Sequence, residues 1–343
     1  MKKVRLGLIG CGYWGPKVLR AAAALPEVEV AFLIDEVEER AGSLQRHFPA
    51  AVVATDLGQA LRDGGLDALL VATNPSSHFD VAGAAIAAGT HVLVEKPLAL
   101  TAEECRSLGA AARTAGVVLM AGHTFRYSPA VELIGEMLER GDLGQLYYIH
   151  SQRLNLGRVR NDVDAIWNFA PHDISIINGW LGRRPTAVRC EAFDFLQPDL
   201  PDVGFITLEY GDAPFAHVHV SWLSPSKVRR MTIVGSEKMI VYDDVENQVV
   251  VYDSGIDRAH INRSFGEFET FGEFQLIQRH GDVRIPHIPV IEPLVAQCRH
   301  FVECIRDGRE PLSGAEEGET VVQVLEAATL SRREGGRRVQ LDA

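Results

Sequence analysis

The first third of the chain alternates short apolar runs with alanine-rich stretches of helical character. The runs are rich in valine, isoleucine and leucine: VRLGLIG, VEVAFLID, LDALLVAT, HVLVEK and VVLMAG. The stretches between them include VLRAAAALP, FDVAGAAIAAG and AEECRSLGAAARTAG. Continuous apolar runs separated by helices are typical of parallel strands covered on both faces, so this pattern predicts a doubly wound Rossmann-type α/β fold.

After a helix predicted near 129–140, the apolar positions adopt the period of two that marks half-buried strands. Seven longer runs follow this pattern: QLYYIHSQRLNL, AVRCEAFDFL, VGFITLEY, APFAHVHVSWL, RRMTIVGS, EKMIVYDD and NQVVVYD. Together with turn signals at EYGDAP and VGSEK, they predict one open, mainly antiparallel sheet. Helices near 172–181, 292–306 and 315–333 are expected to cover one face of it, and 256–290 is expected to be rich in loops.

The length of 343 residues exceeds one ordinary hydrophobic core and indicates two domains. We predict a first domain over 1–123 and an α+β domain over 124–343, connected by the helix near 129–140, with the last helix packing back toward the first domain. The strands APFAHVHVSWL and NQVVVYD carry apolar side chains on the sheet face that the predicted helices leave open. An exposed apolar face favours a homodimer or homotetramer formed through this sheet.

Composition narrows the possible partners. Apolar residues make up 46% of the chain and charged residues 23%, which is typical of soluble globular proteins. The net charge of −12 disfavours binding to nucleic-acid phosphates. The five cysteines show no C-x-x-C pairing, so we expect neither disulfides nor a metal site. The apolar segments are too short to span a bilayer, and a reducing cytoplasm is the expected compartment.

The strongest local motif is GLIGCGYWG, which follows a predicted strand and opens a predicted helix. Gly10, Gly12 and Gly15 have the G-x-G-x-x-G spacing that lets a backbone approach a pyrophosphate at a helix N-terminus. Asp35 ends the next strand, where a carboxylate accepts hydrogen bonds from both ribose hydroxyls and repels a 2′-phosphate. Because the next arginine is Arg40, NAD is expected rather than NADP. The alternative is a glycine-rich turn beside a helix-capping aspartate.

A lysine closes the buried run HVLVEK. Ligands of doubly wound sheets bind at the carboxyl ends of the strands, so Lys96 is expected to face the nicotinamide end of the cofactor. The alternative is an ion pair with Glu95 or with a helix end. The residues predicted to bind the cofactor are Gly10, Gly12, Tyr13, Trp14, Gly15, Asp35, Thr73, Asn74, Pro75, His78, Glu95 and Lys96.

The motifs GLIGCGYWG, ATNPSSH and EKPLALT, followed by an antiparallel second half, resemble those of the glucose-fructose oxidoreductase/inositol dehydrogenase (Gfo/Idh/MocA) family. The resemblance covers essentially the whole chain and implies an NAD-dependent sugar dehydrogenase. It also implies that Lys96 lies beside the nicotinamide and the substrate hydroxyl. We further expect a cis peptide bond between Lys96 and Pro97.

Family members commonly carry a D-x-x-x-H motif in the second domain, and here Asn168 replaces the aspartate while His172 is kept. An asparagine can bind a hydroxyl but cannot act as a carboxylate base, so His172 becomes the expected proton acceptor, assisted by Lys96. Pro171 suits the first turn of a helix whose dipole would keep the imidazole neutral. The alternative for His172 is a structural histidine at a helix start, with Asp173 acting only on the helix dipole.

The stretch SQRLNLGRVRNDVDAIWNFAPHD resembles the nucleotide-sugar 3-dehydrogenases of this family. Arginine and asparagine side chains suit a carboxylate or a pyrophosphate, and several cluster upstream of His172. The residues considered as substrate ligands are Tyr127, Arg153, Asn155, Arg158, Arg160 and Asn168, although packing or solvated charge is the alternative for most. The expected reaction is oxidation at C3 of a nucleotide-linked sugar. A dehydrogenase of a free polyol or aldose, or a catalytically silent NAD-binding regulator, are the alternatives.

Overall fold

A computed structural model of the protein describes residues 3–62, 65–157, 159–211, 214–256 and 278–341. The chain divides into two compact units. The first comprises Met1–Ser128 and Ile291–Glu326, and the second comprises Pro129–Val290 and Ala327–Ala343. Each unit is built on its own sheet.

The first unit contains a six-stranded sheet in the order β3-β2-β1-β4-β5-β6. Its strands are β1 (Val4–Ile9), β2 (Val28–Ile34), β3 (Val52–Ala54), β4 (Ala68–Val71), β5 (His91–Glu95) and β6 (Leu119–Gly122). Every neighbouring pair is parallel, which confirms the predicted doubly wound fold. The edge strand β3 is too short to produce an apolar run of its own, and the sequence pattern did not identify it.

Five helices connect these strands: α1 (Gly15–Ala23), α2 (Glu38–Gln45), α3 (Leu57–Arg62), α4 (His78–Ala87) and α5 (Ala102–Ala115). The best-defined ends belong to α5. Thr101 Oγ1 accepts from the Glu104 N–H at 3.1 Å while Glu104 Oε2 accepts from the Thr101 N–H at 3.1 Å, a capping box that fixes the turn after the Lys96 loop. The helix ends at Gly116, whose φ of 66° is left-handed.

The second unit contains a nine-stranded sheet in the order β14-β13-β12-β11-β7-β10-β9-β8-β15. Its strands are β7 (Leu146–Leu156), β8 (Ala187–Phe193), β9 (Val203–Glu209), β10 (Phe215–Ser221), β11 (Leu223–Gly235), β12 (Met239–Asp243), β13 (Gln248–Ile256), β14 (Gln278–Arg284) and β15 (Val339–Gln340). All pairs are antiparallel except β7 with β10. The prediction of a mainly antiparallel sheet is therefore confirmed.

Two helices of the second unit, α6 (Pro129–Glu139) and α7 (Ala165–Leu181), pack on each other, and α7 covers one face of the sheet at β7, β9 and β10. The segment 256–290, expected to be mainly loop, contributes the edge strand β14, which pairs with β13. Its sequence QRHGDVR has no apolar alternation because an edge strand is held mainly by backbone hydrogen bonds. Residues 257–277 of that segment lie outside the described residues.

The last two helices, α8 (Pro293–Asp307) and α9 (Ala315–Arg333), were expected to cover the second sheet. For α8 this expectation is wrong, since Phe301 and Val302 join the buried core of the first unit with Val18 and Leu19 of α1. An amphipathic pattern identifies which face of a helix is buried but not which sheet receives it. The division between the units falls within α9, after Glu326.

Truncating Phe301 to alanine should destabilise the protein by about 3–5 kcal/mol, because the side chain is only 1% exposed and its removal leaves a cavity. Leu312→Ala is the matched control, since Leu312 is 54% exposed and should change the free energy of unfolding by less than about 0.5 kcal/mol. Urea unfolding followed by circular dichroism measures both. Equal unfolding midpoints for the two variants would contradict the assignment of α8 to this core.

Candidate functional site

The glycine-rich loop after β1 has one glycine that is open and two that are tightly enclosed. Gly10 has a φ of +94°, and a Cβ there would lie 2.6 Å from the Ala72 carbonyl oxygen. A Cβ on Gly15 would lie 2.0 Å from the Gly10 carbonyl oxygen. A Cβ on Gly12, by contrast, would meet nothing within 4 Å. Gly10 and Gly15 are thus required by the fold of the loop itself, whereas Gly12 leaves a cradle that suits a pyrophosphate.

Asp35 fixes the other side of this loop. Its side chain is 7% exposed; one carboxylate oxygen accepts from the Cys11 N–H at 2.7 Å and the other from the Val37 N–H at 2.9 Å. Arg40 Nη1 lies 3.7 Å from the same carboxylate. Held at the end of β2, the Asp35 carboxylate suits ribose hydroxyls and opposes a 2′-phosphate. The loop and this carboxylate therefore fit a dinucleotide of the NAD type.

The end of β5 carries Glu95 and Lys96. Glu95 is 8% exposed, and burial raises the pKa of its carboxyl to about 7. Its Oε1 accepts from the Trp14 indole N–H at 2.5 Å, and its Oε2 accepts from the Lys96 backbone N–H at 3.3 Å. The peptide bond between Lys96 and Pro97 is cis, as predicted. The half-buried Lys96 thus follows a carboxylate that accepts a hydrogen bond from the glycine-rich loop.

His78, predicted to bind the cofactor, instead connects the ends of two strands. One ring nitrogen lies 2.7 Å from the Pro97 carbonyl oxygen and the other 3.2 Å from the Thr73 carbonyl oxygen. The side chain is 1% exposed, and burial lowers the pKa of the imidazole. A neutral ring donates to only one of these carbonyls, but it still spans the turn. His78 therefore supports the Lys96–Pro97 turn, while Asn74 and Pro75 begin the 3₁₀ turn (Pro75–Ser77) after β4.

Two residues of this edge were missed by the sequence reasoning. His123 follows β6 and is 1% exposed; burial, then Arg126 and Lys96, lower the pKa of its imidazole to about 3. Among the described residues, neither of its ring nitrogens has a hydrogen-bond partner. Lys17, in the first turn of α1, places its Nζ 3.7 Å from the centroid of the Tyr13 ring. His123 could have been identified from the rule that ligands bind at the carboxyl ends of parallel strands. Lys17 could have been identified from its position at the start of the helix that follows the glycine-rich loop, where phosphates bind.

Tyr127, considered as a substrate ligand, lies in the core of the first unit. It is 3% exposed, its hydroxyl is 2.8 Å from Ser313 Oγ, and its ring packs against His300 with centroids 5.2 Å apart. Burial raises the pKa of the phenol. This environment supports the packing interpretation that the sequence left open.

In the second unit, α7 begins earlier than the sequence pattern predicted. Asp164 is its N-cap and accepts from the Trp167 N–H at 2.8 Å, so Pro171 lies inside the helix. The expectation that the helix starts at Pro171, with its dipole acting on His172, is therefore wrong. Because Asn168 and His172 are four residues apart on one helix, they share a face, and both side chains are half-buried.

Arg153 and Asp173 form a buried ion pair beside His172. The guanidinium is 5% exposed and donates two hydrogen bonds of 2.9 Å to a carboxylate that is 1% exposed. Asp173 therefore does more than act on the helix dipole, because it anchors α7 to β7. Arg153, predicted as a substrate ligand, thus directs its guanidinium to a carboxylate of the protein.

The remaining candidates lie on or after β7. Asn155 is half-buried on the strand. Arg160 donates from Nε to Asp162 Oδ1 at 2.8 Å, while its carbonyl oxygen accepts from Gln197 Nε2 at 2.8 Å. Arg158 lies outside the described residues. Among the residues that the structure describes, there is no cluster of three potential metal ligands, and no helix is long and apolar enough to cross a membrane.

Comparison with known proteins agrees with this geometry. A family model described as an oxidoreductase family with an NAD-binding Rossmann fold matches residues 4–123, and the model of the GFO/IDH/MocA C-terminal domain matches residues 131–241. The UDP-N-acetylglucosamine 3-dehydrogenase of Acidithiobacillus ferrooxidans is 28% identical over 263 residues, covering 74% of this chain and 79% of that protein. The NAD-dependent scyllo-inositol 2-dehydrogenase of Bacillus subtilis is 24% identical, covering 98% of this chain and 95% of that protein.

A solved structure with similar architecture contains the cofactor. The crystal structure of GenD2 from gentamicin A biosynthesis, in complex with NAD, matches with a TM-score of 0.83 at 26% identity. The match covers 100% of this chain and 97% of that chain.

Gly12→Ala should weaken NAD binding without destabilising the fold, because its Cβ would enter the cradle and contact no protein atom. We expect the Kd for NAD to rise about tenfold or more, a loss of about 1.4 kcal/mol, with an unchanged Tm. Gly15→Ala is the comparison and should lower the Tm as well. Isothermal titration calorimetry and thermal unfolding give both quantities; unchanged NAD affinity in Gly12→Ala would refute the assignment of the cradle.

Breaking the ion pair with Arg153→Met should cost about 3–5 kcal/mol of stability, since it leaves the Asp173 carboxylate buried without its cation. The double variant Arg153→Met/Asp173→Leu should recover most of that loss, because no charge is then buried. Chemical denaturation of the single and double variants tests this expectation. Additive destabilisation in the double variant would show that the pair is not the anchor described here.

Proposed function

This chain belongs to the Gfo/Idh/MocA family of NAD-binding oxidoreductases, and from that premise we propose that it oxidises the C3 hydroxyl of a nucleotide-linked sugar. The observation that carries the proposal is Lys96, which follows β5 beside a buried carboxylate in the unit that holds the glycine-rich loop and Asp35. The position of this lysine at the carboxyl edge of the cofactor sheet supports a role on the group that exchanges hydride with the nicotinamide.

The oxidation separates a hydride and a proton. Bound NAD supplies the hydride acceptor at its nicotinamide ring. In our proposal, the His172 imidazole accepts the hydroxyl proton, and the Lys96 ammonium stabilises the negative charge that develops on the oxygen. Asn168, on the same face of α7 as His172, donates an amide hydrogen bond to a ring hydroxyl. The Arg153–Asp173 pair keeps α7 and its imidazole in register with β7.

The proposed substrate class rests on the segment after β7 and on one relative. Asn155, together with Arg158, is proposed to bind the nucleotide or carboxylate part of the substrate, which would hold the sugar in reacting geometry. The similarity to UDP-N-acetylglucosamine 3-dehydrogenase supports a nucleotide-linked sugar. The similarity to scyllo-inositol 2-dehydrogenase, which extends over nearly the whole chain, favours a free polyol as the second candidate.

Self-association is proposed through the sheet face opposite α7. Ala216, Val218 and Val220 of β10 are buried, while Phe215 and His217 point to the other face and are partly exposed. Aromatic rings continue this face across neighbouring strands, since Phe215 stacks on Tyr148 with centroids 5.8 Å apart. The apolar side chains of β10 were expected on the open face, and this is wrong, because they lie on the covered face while the open face carries aromatic and histidine rings. An exposed aromatic face supports self-association, and light scattering after size-exclusion chromatography would test it.

Lys96→Ala and His172→Ala should each lower kcat by roughly 10²- to 10⁴-fold, because the first removes the charge that stabilises the oxygen and the second removes the proton acceptor. Lys3→Ala is the control for removing a lysine, because Lys3 is exposed at the amino end of β1, opposite the ligand edge. NADH formation at 340 nm with free and nucleotide-linked sugars is the measurement, with 2-oxoglutarate added in one arm to reoxidise cofactor that is not released. Full activity in both alanine variants would exclude the proposed proton chemistry.

Asn155→Ala and Arg158→Ala should raise KM for a nucleotide-linked sugar while leaving kcat nearly unchanged, because they remove binding that is equal in the ground and transition states. With a free polyol, neither change should alter KM. If only free polyols react, the second candidate is correct. NAD binding without oxidation of any sugar would instead support a catalytically silent regulator.

A further inference from the structure

The Trp14 indole bridges two strand ends that are not neighbours in the sheet. Trp14 lies in the loop after β1, and its N–H donates to Glu95 at the end of β5. Strand β4 separates β1 from β5 in the sheet order. Trp14 is the N-cap residue of α1, so its indole links the start of that helix to the end of β5.

This path coincides with one half of a bound dinucleotide. The pyrophosphate belongs at the glycine-rich loop, and Asp35 at the end of β2 marks the side taken by the adenosine ribose. The nicotinamide riboside must then run the other way, over β4 and β5 toward Lys96. Trp14 is 37% exposed, so part of its ring surface is accessible to a ligand, and Lys17 Nζ lies 5.3 Å from the ring centroid.

The carboxylate that holds the indole is itself fixed. Gly122 of β6 leaves the space for it, since a Cβ there would lie 3.2 Å from Glu95 Oε2. The Lys96 backbone N–H donates to the same oxygen. Glu95 is therefore held by hydrogen bonds from β5 and the loop, at a position that Gly122 of β6 leaves open.

The oxidised nicotinamide ring is cationic and the reduced ring is neutral. A cation over an indole gains cation–π attraction, and the Glu95 carboxylate adds attraction of the same sign. The Lys96 ammonium opposes a cationic ring at this strand end, so the indole and the carboxylate offset it. Burial raises the pKa of Glu95 to about 7, so its negative charge is lost below neutral pH and present above it.

We propose that Trp14, held by Glu95, is a positioning residue that stacks on the nicotinamide ring and makes the site bind oxidised cofactor in preference to reduced cofactor. This inference rests on the NAD binding of the family but not on any particular sugar substrate. It assigns Glu95 a function distinct from that of the lysine that follows it.

The test is the ratio of the Kd for NADH to the Kd for NAD⁺, measured by calorimetry on the full chain without any sugar. Trp14→Leu should lower this ratio by roughly threefold or more, because a cation–π contact of ordinary strength is lost. Trp14→Phe keeps an aromatic ring but loses the hydrogen bond to Glu95, and its ratio of Kd values should lie between those of wild type and Trp14→Leu.

Trp180→Phe is the matched control, since it removes an indole N–H that donates to the Val131 carbonyl oxygen in the second unit. Its ratio should match wild type.

Glu95→Gln separates the charge of the carboxylate from its shape. In wild type, the Kd for NAD⁺ should fall as pH rises from about 6 to about 8 and Glu95 ionises, while the Kd for NADH changes less. The pH dependence should disappear in Glu95→Gln. A ratio that Trp14→Leu leaves unchanged, or equal losses of affinity for both cofactor forms, would overturn the proposal. Because only binding is measured, this result is independent of whether the proposed sugar oxidation occurs.

Discussion

A buried carboxylate at the end of a central strand is the constraint on which the first unit depends. Glu95 cannot be hydrated at 8% exposure, so it must be hydrogen-bonded within the protein. The Trp14 indole and the Lys96 backbone meet this need, and Gly122 leaves room for the group. One charge requirement thereby links the glycine-rich loop, the end of β5 and the end of β6. The residues proposed to hold the cofactor and the proposed catalytic lysine are therefore positioned together.

The second unit also contains buried charges, and it satisfies them by pairing two side chains of opposite sign. Arg153 and Asp173 are both buried, and each satisfies the other through two hydrogen bonds. A buried pair of this kind adds little net stability compared with apolar residues. It joins β7 to α7, the helix on which Asn168 and His172 share a face.

The sequence predicted the parts of the fold that depend on local pattern. Continuous apolar runs predicted the parallel sheet, and period-two runs predicted the strands from β7 to β13, because burial on two faces or on one face leaves different patterns. The glycine spacing and Asp35 likewise placed the cofactor loop. Long-range packing was not predictable in this way. The apolar face of α8 fits either sheet, and only the three-dimensional contacts of Phe301 show that it belongs to the first unit.

The candidate site shows the same limit at the level of single residues. Pro171 is compatible with a helix start, but the Asp164 cap places that start earlier, which removes the dipole argument for His172. An arginine at position 153 suits a substrate anion equally well until its partner Asp173 is known. The link between Trp14 and Glu95, separated by 81 residues, has no local signature.

The central claim is that a sugar C–H hydride passes to NAD at a site that uses Lys96. The most direct measurement is a single turnover with NAD and a nucleotide-linked sugar deuterated at C3, followed by mass spectrometry of the cofactor. We predict deuterium on the nicotinamide ring with wild-type protein, and labelling in Lys96→Met that is slower by roughly 10²- to 10⁴-fold, whether or not NADH is released. Bound NAD that remains unlabelled with every deuterated sugar tested, or an equal rate of labelling in Lys96→Met, would contradict this account.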